Sequence, residues 1–296
     1  MNRWQPLDPA RAEIRVLDLQ PSQCGTEAIS CQMRTTSLRD EPQYEALSYV
    51  WGSPDNPKEI HLNGTAHPVT RNLYNALKAL RHPDKMRTLW VDAVCINQAD
   101  LQERNAQVSM MDKVYLQASL VVTFWQKTNM SKSMQTVKSF GKDHTRHYTN
   151  SPQALLDFHL NWDAWFFRAW TFQEAVLAQD LVFHADDDSL TLQDLEDYLG
   201  SLRQHFLRDG ACCVSVAMES QRNLEEPNNP FGATMAVLFG LLDARHELRR
   251  KGKQPLLELL NYTAGRSATD PRDLVYAFAG LAHDVPPTTS CATISP

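Results

Sequence analysis

The stretch Ser119-Leu-Val-Val-Thr-Phe124-Trp125 is apolar at nearly every position, with no alternation between apolar and polar residues. This pattern is typical of a parallel strand that is covered on both faces of a sheet. Apolar runs of similar character lie before it at Tyr44–Gly52 and Thr88–Ile96, and after it at Leu181–Phe183. Segments with helical spacing of apolar residues separate these runs. The order therefore predicts an α/β fold, with a parallel sheet flanked by helices.

Further strands are predicted on the N-terminal side of this core. Residues 11–20 and 28–38 read as an antiparallel hairpin at the edge of the larger sheet, and the second segment alternates strictly between apolar and polar residues. A second hairpin is predicted at 60–69, because Asn63-Gly64 supplies the positive φ angles of a type I′ turn.

Two helices are predicted between these strands. The first follows Thr70, a residue type that often caps a helix N-terminus, and has leucines at helical spacing. The second is a single long helix over Leu101–Ala118. Beyond the last strand, leucines at positions 192, 195, 199 and 202 recur at helical spacing.

These patterns predict four parts of the chain. Residues 1–40 are strands packed on the core, 41–185 are the α/β domain with an insertion or mobile excursion at 126–160, 186–281 are a helical extension, and 282–296 are a flexible tail. The sequence leaves open whether the chain is a fragment of a longer protein.

The composition narrows the class of protein. The net charge of −6 argues against a general nucleic-acid or anionic-membrane binder. No apolar segment approaches the roughly 20 residues that span a bilayer, and the N-terminus lacks the apolar core of a signal peptide. The six cysteines show no zinc-ligand spacing, so no metal is expected and each is read as a small buried apolar residue: Cys24, Cys31, Cys95, Cys212, Cys213 and Cys291. A reduced, cytoplasmic protein is expected.

The candidate catalytic residue is Glu174, in the stretch Arg168-Ala-Trp-Thr-Phe-Gln-Glu-Ala-Val-Leu-Ala178. This stretch reads as the first turns of a helix, with Glu174 one turn beyond Trp170 on the same face. Four aromatic residues lie upstream, within 162–167. A carboxylate among so many rings would lie in a low-dielectric pocket, where its charge has large effects. The alternative is a surface Glu on an amphipathic helix.

In parallel sheets, ligands bind outside the carboxyl ends of the strands. Here these ends lie at Tyr49–Gly52, Asp92–Gln98 and Trp125, and the Glu174 helix starts from the same edge. The predicted ligand-binding residues are Tyr49, Trp51, Gly52, Asp92, Asn97, Arg168 and Trp170.

Each assignment has an alternative. The tryptophans would stack on a ring of the ligand, or pack in the core. Asp92 would bind ribose hydroxyls, or cap the following turn. Arg168 and Arg104 suit a diphosphate, although a surface ion pair is the other role for Arg104. Asn97 would line the mouth of the site, or bond the loop backbone.

Three blocks of the sequence, in this order, resemble the signature blocks of the fungal heterokaryon-incompatibility (HET) domain. They are Tyr44-Glu-Ala-Leu-Ser-Tyr-Val-Trp-Gly52, then Leu89–Gln98 with Glu103-Arg104 and Gln107-Val108, and finally Arg168–Glu174. The segment Ala268–Leu281 resembles the Asp-Pro-Arg-Asp-x-Val-Tyr-Ala stretch that commonly follows that domain. The resemblance implies a role in allorecognition and programmed cell death.

The order of elements is also similar to that of the Toll/interleukin-1-receptor (TIR) domain, a flavodoxin-like fold whose members include enzymes that hydrolyse NAD. Trp170-Thr-Phe-Gln-Glu174 resembles the Trp-Cys-Leu-x-Glu run of many TIR domains, whose Glu is catalytic. The size of the 126–160 insertion and the hairpin at 60–69 depart from the TIR pattern.

The two resemblances together imply NAD as a substrate, with no permanently bound cofactor. They also imply a homo-oligomer, or a partner of the HET or TIR type, on activation. Whether the chain is an enzyme stays open, because a non-enzymatic interaction module or an accessory protein of a fungal metabolic pathway would carry the same residues.

Overall fold

A computed structural model of the protein describes residues 4–23, 28–125, 130–143, 145, 147, 164–185, 188–207, 230–263 and 265–285. Nine strands form one mixed sheet in the order β5-β4-β2-β1-β6-β3-β7-β8-β9. Their bounds are β1 Glu13–Leu19, β2 Ser30–Ser37, β3 Glu45–Tyr49, β4 Lys58–Leu62, β5 Thr65–Val69, β6 Arg87–Trp90, β7 Leu120–Phe124, β8 Leu181–Ala185 and β9 Asp188–Thr191.

The centre of the sheet consists of four mutually parallel strands in the order β6-β3-β7-β8. Numbered along the chain among themselves, these strands run 2-1-3-4, which is the order of flavodoxin-like sheets. The predicted α/β fold is confirmed. β3 and β7 are the neighbours between which the chain order reverses, and such a switch point opens a crevice at the carboxyl ends of the strands.

The N-terminal hairpin is not at the edge of the sheet, as predicted, but inside it. β1 pairs antiparallel with β2 on one side and with β6 on the other, and β2 also pairs with β4. The hairpin of β4 and β5 therefore extends the sheet beyond β2. Asn63 and Gly64 at its turn have φ angles of 50° and 76°, as the type I′ turn requires.

Five helices lie in the first half of the chain: α1 Arg71–Leu80, α2 Asp92–Cys95, α3 Leu101–Val108, α4 Met111–Gln117 and α5 Met130–Lys142. The predicted strand over 88–96 is too long, because the backbone turns into α2 directly after Val91, whose carbonyl accepts from Cys95 N–H at 2.7 Å. The predicted single helix over 101–118 is broken at Ser109. Its hydroxyl donates to the Ala106 carbonyl at 2.7 Å, which competes with the helical hydrogen bonds.

Part of the predicted insertion at 126–160 is an ordered helix rather than a mobile excursion. The buried side of α5 contains Met130, Met134, Val137 and Phe140. A Cβ atom at Gly141 would lie 3.1 Å from the backbone of Tyr198, so this helix approaches the C-terminal part of the chain closely. Residues 126–129, 144, 146 and 148–160 lie outside the described part of the chain.

The remaining helices are α6 Ala169–Leu177, α7 Leu192–Leu202, α8 Pro230–Lys251, α9 Leu256–Leu259 and α10 Asp273–Ala279. The predicted helix over the leucine repeat is present, and the predicted helical extension over 186–281 also contains α8, α9 and α10. No helix in the described ranges combines the length and the apolar character needed to cross a lipid bilayer. Cys31 and Cys95 are buried free thiols, whereas Cys24, Cys212, Cys213, Cys291 and most of the predicted tail lie outside the described residues.

Helix α6, which contains Glu174, is enclosed by the C-terminal helices. Arg245 of α8 is 1% exposed and donates to the carbonyls of Ala175 and Val176, at 2.9 and 3.2 Å, so it satisfies acceptors at the end of α6. On the other side, the Phe172 ring lies 4.8 Å from that of Phe278 in α10. Both C-terminal helices thus hold α6 in position against the sheet.

Candidate functional site

A cavity of about 380 Å³ opens where β3 and β6 end, beside helix α6. This volume is in the range of small-molecule sites, roughly 300–1,000 Å³. Seven of the eight predicted site residues line it: Tyr49, Trp51, Gly52, Asp92, Arg168, Trp170 and Glu174. Gln98 and Arg104 also contribute to its wall. The predicted strand ends at Tyr49–Gly52 and Asp92–Gln98 contribute to this cavity. Trp125 does not line it, because its ring packs against Phe166 and Phe183.

Asn97 is the predicted residue that does not line this cavity. It belongs to the wall of a separate cavity of about 260 Å³, together with Trp4 and Glu103. Its N–H donates to Glu103 Oε1 at 2.7 Å, and its side-chain oxygen accepts from Ala99 N–H at 3.3 Å. The structure therefore gives Asn97 the loop role that was the alternative in the sequence analysis.

Glu174 lies at the inner wall of the cavity and is only 6% exposed. Its Oε2 accepts a short hydrogen bond from the hydroxyl of Ser48 in β3. The indole Nε1 of Trp165 donates in turn to Ser48 Oγ at 2.6 Å, which fixes the serine hydroxyl toward the carboxylate. A surface position for Glu174, the alternative from sequence, is wrong.

Burial raises the pKa of Glu174 to about 7. The nearby carboxyl of Asp92 raises it as well, whereas the hydrogen bond from Ser48, the charge of Arg168 and a hydrogen bond with Tyr115 lower it. The removal of a carboxylate from water disfavours its charged form, which is why burial dominates. Glu174 therefore changes its charge close to neutral pH.

Asp92 is held at the cavity wall by a tryptophan. Trp51 Nε1 donates to Asp92 Oδ2 at 2.8 Å, and Asp92 Oδ1 accepts from Ala93 N–H at 2.7 Å at the start of α2. The turn contact that the sequence analysis gave as the alternative is present on Oδ1. Binding of ribose hydroxyls by Asp92 stays a prediction. Burial raises the pKa of Asp92, although the bond from Trp51 opposes this.

The backbone of the loop after β3 requires a glycine at position 52. Its φ angle is 76°, a conformation that side chains disfavour. A Cβ atom there would lie 2.5 Å from Nδ2 of Asn72, which donates to the Val50 carbonyl at 3.0 Å. Gly52 thus lets the loop close over the start of α1 and places Trp51 at the cavity.

Arg168 precedes the first residue of α6 and faces the cavity. Within the described part of the chain its guanidinium makes no hydrogen bond or ion pair with a protein group. Its charge acts on Glu174, Asp92 and Asp273, whose pKa values it lowers. Half-buried between three carboxyl groups, it is placed to receive an anionic part of a ligand.

Sequence reasoning missed two polar cavity residues from the C-terminal extension, Thr269 and Asp273. Asp273 is 8% exposed and hydrogen-bonds to the side chain of Trp170; burial raises its pKa. The sequence did contain a signal for Asp273, because this residue belongs to the Asp-Pro-Arg-Asp stretch at 270–273, which resembles the stretch that commonly follows the HET domain. Apolar walls from Ile96, Val108 and Met111 were missed as well.

The arrangement suits a ligand with hydroxyl groups, negative charge and flat rings. Carboxylates accept from hydroxyls, a guanidinium binds phosphate, and tryptophans stack on rings. Among the described residues, no group of three or more His, Cys, Asp or Glu side chains could hold a metal ion. The fold is that of an α/β protein, and it has a cavity of small-molecule size at the carboxyl ends of β3 and β6.

Residues 44–174 match the sequence model of the family described as Heterokaryon incompatibility protein (HET). The matched stretch contains β3, β6, β7 and Glu174. The full sequence is similar to "Heterokaryon incompatibility protein 6, OR allele" of Neurospora crassa, with 27% identity over 337 aligned positions that cover 94% of this chain and 48% of the relative. The chain thus spans about half the length of this curated relative. No solved structure matches the chain described here.

Proposed function

We propose that the protein cleaves the bond between nicotinamide and ribose in NAD, with Glu174 as the catalytic residue. The observation that carries this proposal is a buried carboxylate, with a pKa of about 7, at the wall of a cavity beside the carboxyl ends of two parallel strands, β3 and β6. Strongly shifted pKa values in clefts are a feature of functional sites. The 2-1-3-4 strand order supports the resemblance to TIR domains on which the choice of substrate rests.

The chemistry needs little besides a carboxylate. Nicotinamide leaves as a neutral molecule from a cationic ring, so no strong general acid is required. The ribose becomes an oxocarbenium-like cation in the transition state, and an ionised Glu174 stabilises this charge. Water then adds to the ribose carbon, and the products are nicotinamide, ADP-ribose and a proton.

The other cavity residues have matching roles. Arg168 binds the diphosphate, because its guanidinium is paired with no protein group in the described ranges. Trp51 stacks on a ring of the substrate, and Asp92 accepts from ribose hydroxyls while Trp51 Nε1 holds it in place. Desolvation inside the cavity strengthens each of these electrostatic contacts.

The biological setting follows from the family. We propose that NAD loss is the effector step of a heterokaryon-incompatibility response that ends in cell death, and that self-association switches the enzyme on. The relative's name supports the heterokaryon-incompatibility role. In the rival hypothesis, a non-enzymatic module, toxicity would survive Glu174→Gln while cellular NAD stays undiminished.

The direct test is to mix the purified protein with NAD and follow the release of nicotinamide. Reduced NAD is the matched control substrate, because its nicotinamide ring carries no positive charge and is a poor leaving group. We expect release from NAD and none from reduced NAD. Equal release from both, or from neither, would contradict the mechanism.

The hydrogen bond from Ser48 gives a further expectation. Ser48→Ala removes a donor that lowers the pKa of Glu174, so this pKa is expected to rise further above its ordinary range. Activity at about pH 7 should then fall about three- to tenfold and recover at higher pH, because less of the carboxylate is ionised. The measurement is the pH dependence of kcat/KM. Ser53→Ala, which removes an exposed serine hydroxyl bonded to Asp55, is the matched control and should leave the profile unchanged.

A further inference from the structure

A second cavity of about 220 Å³ lies beside the main cavity, at the start of α6. The two share Arg168, Trp170, Thr269 and Asp273. The outer wall of the second cavity is tied to α6 by the backbone, since Ala169 N–H donates to the Ser267 carbonyl at 3.0 Å and Ser267 N–H donates to the Phe167 carbonyl at 2.5 Å. The C-terminal extension therefore forms part of the site.

The Gln173 side chain reinforces this attachment. With its amide oriented to suit its partners, it accepts from Asp112 N–H at 3.0 Å and donates to the Ala277 carbonyl at 2.8 Å. The ring of the preceding residue on the same helix, Phe172, packs against that of Phe278 in a tilted arrangement. α10 is thereby fixed against α6, so Asp273 at its first turn has a defined position in the cavity wall.

Some buried polar atoms in the cavity wall have no hydrogen-bond partner among the described residues. They include Oδ1 of Asp273, which is 8% exposed, and the hydroxyl of Tyr49, which is 5% exposed. Buried polar groups are satisfied in most proteins, and an unsatisfied one destabilises the fold. A ligand that donates to Asp273 would satisfy its free oxygen.

Glu174, Arg168 and Asp273 all line the main cavity. The charge of Arg168 acts on both carboxyl groups. A carboxylate binds hydroxyl groups, and a guanidinium binds phosphate. A dinucleotide offers two riboses, each with hydroxyl groups, and a diphosphate that links them.

We propose that Asp273 and Thr269 form a second subsite that binds the distal, adenosine ribose of a dinucleotide, with Arg168 holding the diphosphate between the two riboses. The inference rests on the proposed function, because it takes Glu174 to face the reacting ribose. Asp273 is then a binding residue, and the extension makes the site selective for a dinucleotide over a mononucleotide.

The first measurement compares NAD with nicotinamide mononucleotide, which lacks the adenosine half, as substrates of the full chain. Asp273→Asn is expected to raise KM for NAD about tenfold or more, with kcat within about twofold. KM for the mononucleotide should not change. Asp243→Asn is the matched control, because Asp243 in α8 is half exposed and pairs with Arg203. Equal effects on the two substrates, or no effect on either, would overturn the subsite.

The second measurement needs no catalysis. ADP-ribose lacks nicotinamide, so its binding can be followed by calorimetry whether or not NAD is cleaved. We expect the wild-type chain to bind ADP-ribose, and Asp273→Asn to bind it about tenfold more weakly. Binding with no NAD cleavage would leave the subsite standing and remove the proposed hydrolysis. NAD cleavage with unchanged ADP-ribose binding in Asp273→Asn, or no binding by the wild type, would remove the subsite.

Discussion

Glu174→Gln is expected to lower kcat for NAD cleavage by about 10²–10³-fold, the usual effect of removing a main electrostatic contact with the transition state. Gln has the shape of Glu, and its amide oxygen can still accept from the Ser48 hydroxyl, so the fold should be kept. What is lost is the negative charge beside the developing oxocarbenium ion. KM should change little, because the neutral side chain still fills the same place.

This comparison needs a control for the removal of one negative charge. Glu258→Gln makes the same change at an exposed residue of α9 and is expected to retain full activity. Circular dichroism of both variants checks the fold. A folded Glu174→Gln protein with more than about a tenth of wild-type kcat would show that another group carries the chemistry.

The same substitution is expected to stabilise the protein at alkaline pH. The pKa of Glu174 is about 7 in the folded chain, against its ordinary value of 4.5. The folded state thus binds the proton more tightly than the unfolded state. The stability that the protonated Glu174 contributes is complete below pH 4.5 and is lost as the pH rises to about 7. Over this range the free energy of unfolding falls by about 3 kcal/mol through this group.

The Glu174→Gln variant has no titrating group at this position. It therefore does not lose unfolding free energy at residue 174 as the pH rises. The difference in unfolding free energy between the variant and the wild type should therefore grow by about 2.5 kcal/mol between about pH 5 and pH 8. Urea unfolding of both proteins at the two pH values measures this difference. Asp92 and Asp273 titrate in both proteins, so their contributions largely cancel. A difference that is the same at both pH values would mean that Glu174 ionises as an exposed carboxyl does.

The central strands and the position of Glu174 were predictable from sequence, because their signals are local. Apolar runs such as Leu120–Phe124 have only one role in an α/β fold, and the helix spacing of Arg168–Glu174 places the carboxylate on the side of the aromatic residues. The carboxyl ends of parallel strands meet at one edge by geometry alone. That rule placed Tyr49, Trp51 and Asp92 around one cavity.

The features that sequence reasoning missed depend on partners far away in the chain. β1 lies inside the sheet because it pairs with β6, about seventy residues later, and no local pattern records this pairing. Ser48 and Trp165 orient Glu174 through bonds that span 126 and 117 positions. Asp273 reaches the cavity because α10 packs on α6. The break at Ser109 does not depend on distant partners. A serine hydroxyl can bond a carbonyl of its own helix, and this is a local signal for a helix break.

The central claim is that an ionised, buried Glu174 promotes the departure of nicotinamide. The most direct measurement is kcat/KM of the wild-type chain for NAD across about pH 5 to pH 9, with nicotinamide release as the readout. Cleavage that rises with pH and levels off above a midpoint near the pKa of about 7 is the expected result. No release at any pH, or a rate with no midpoint in this range, would contradict it.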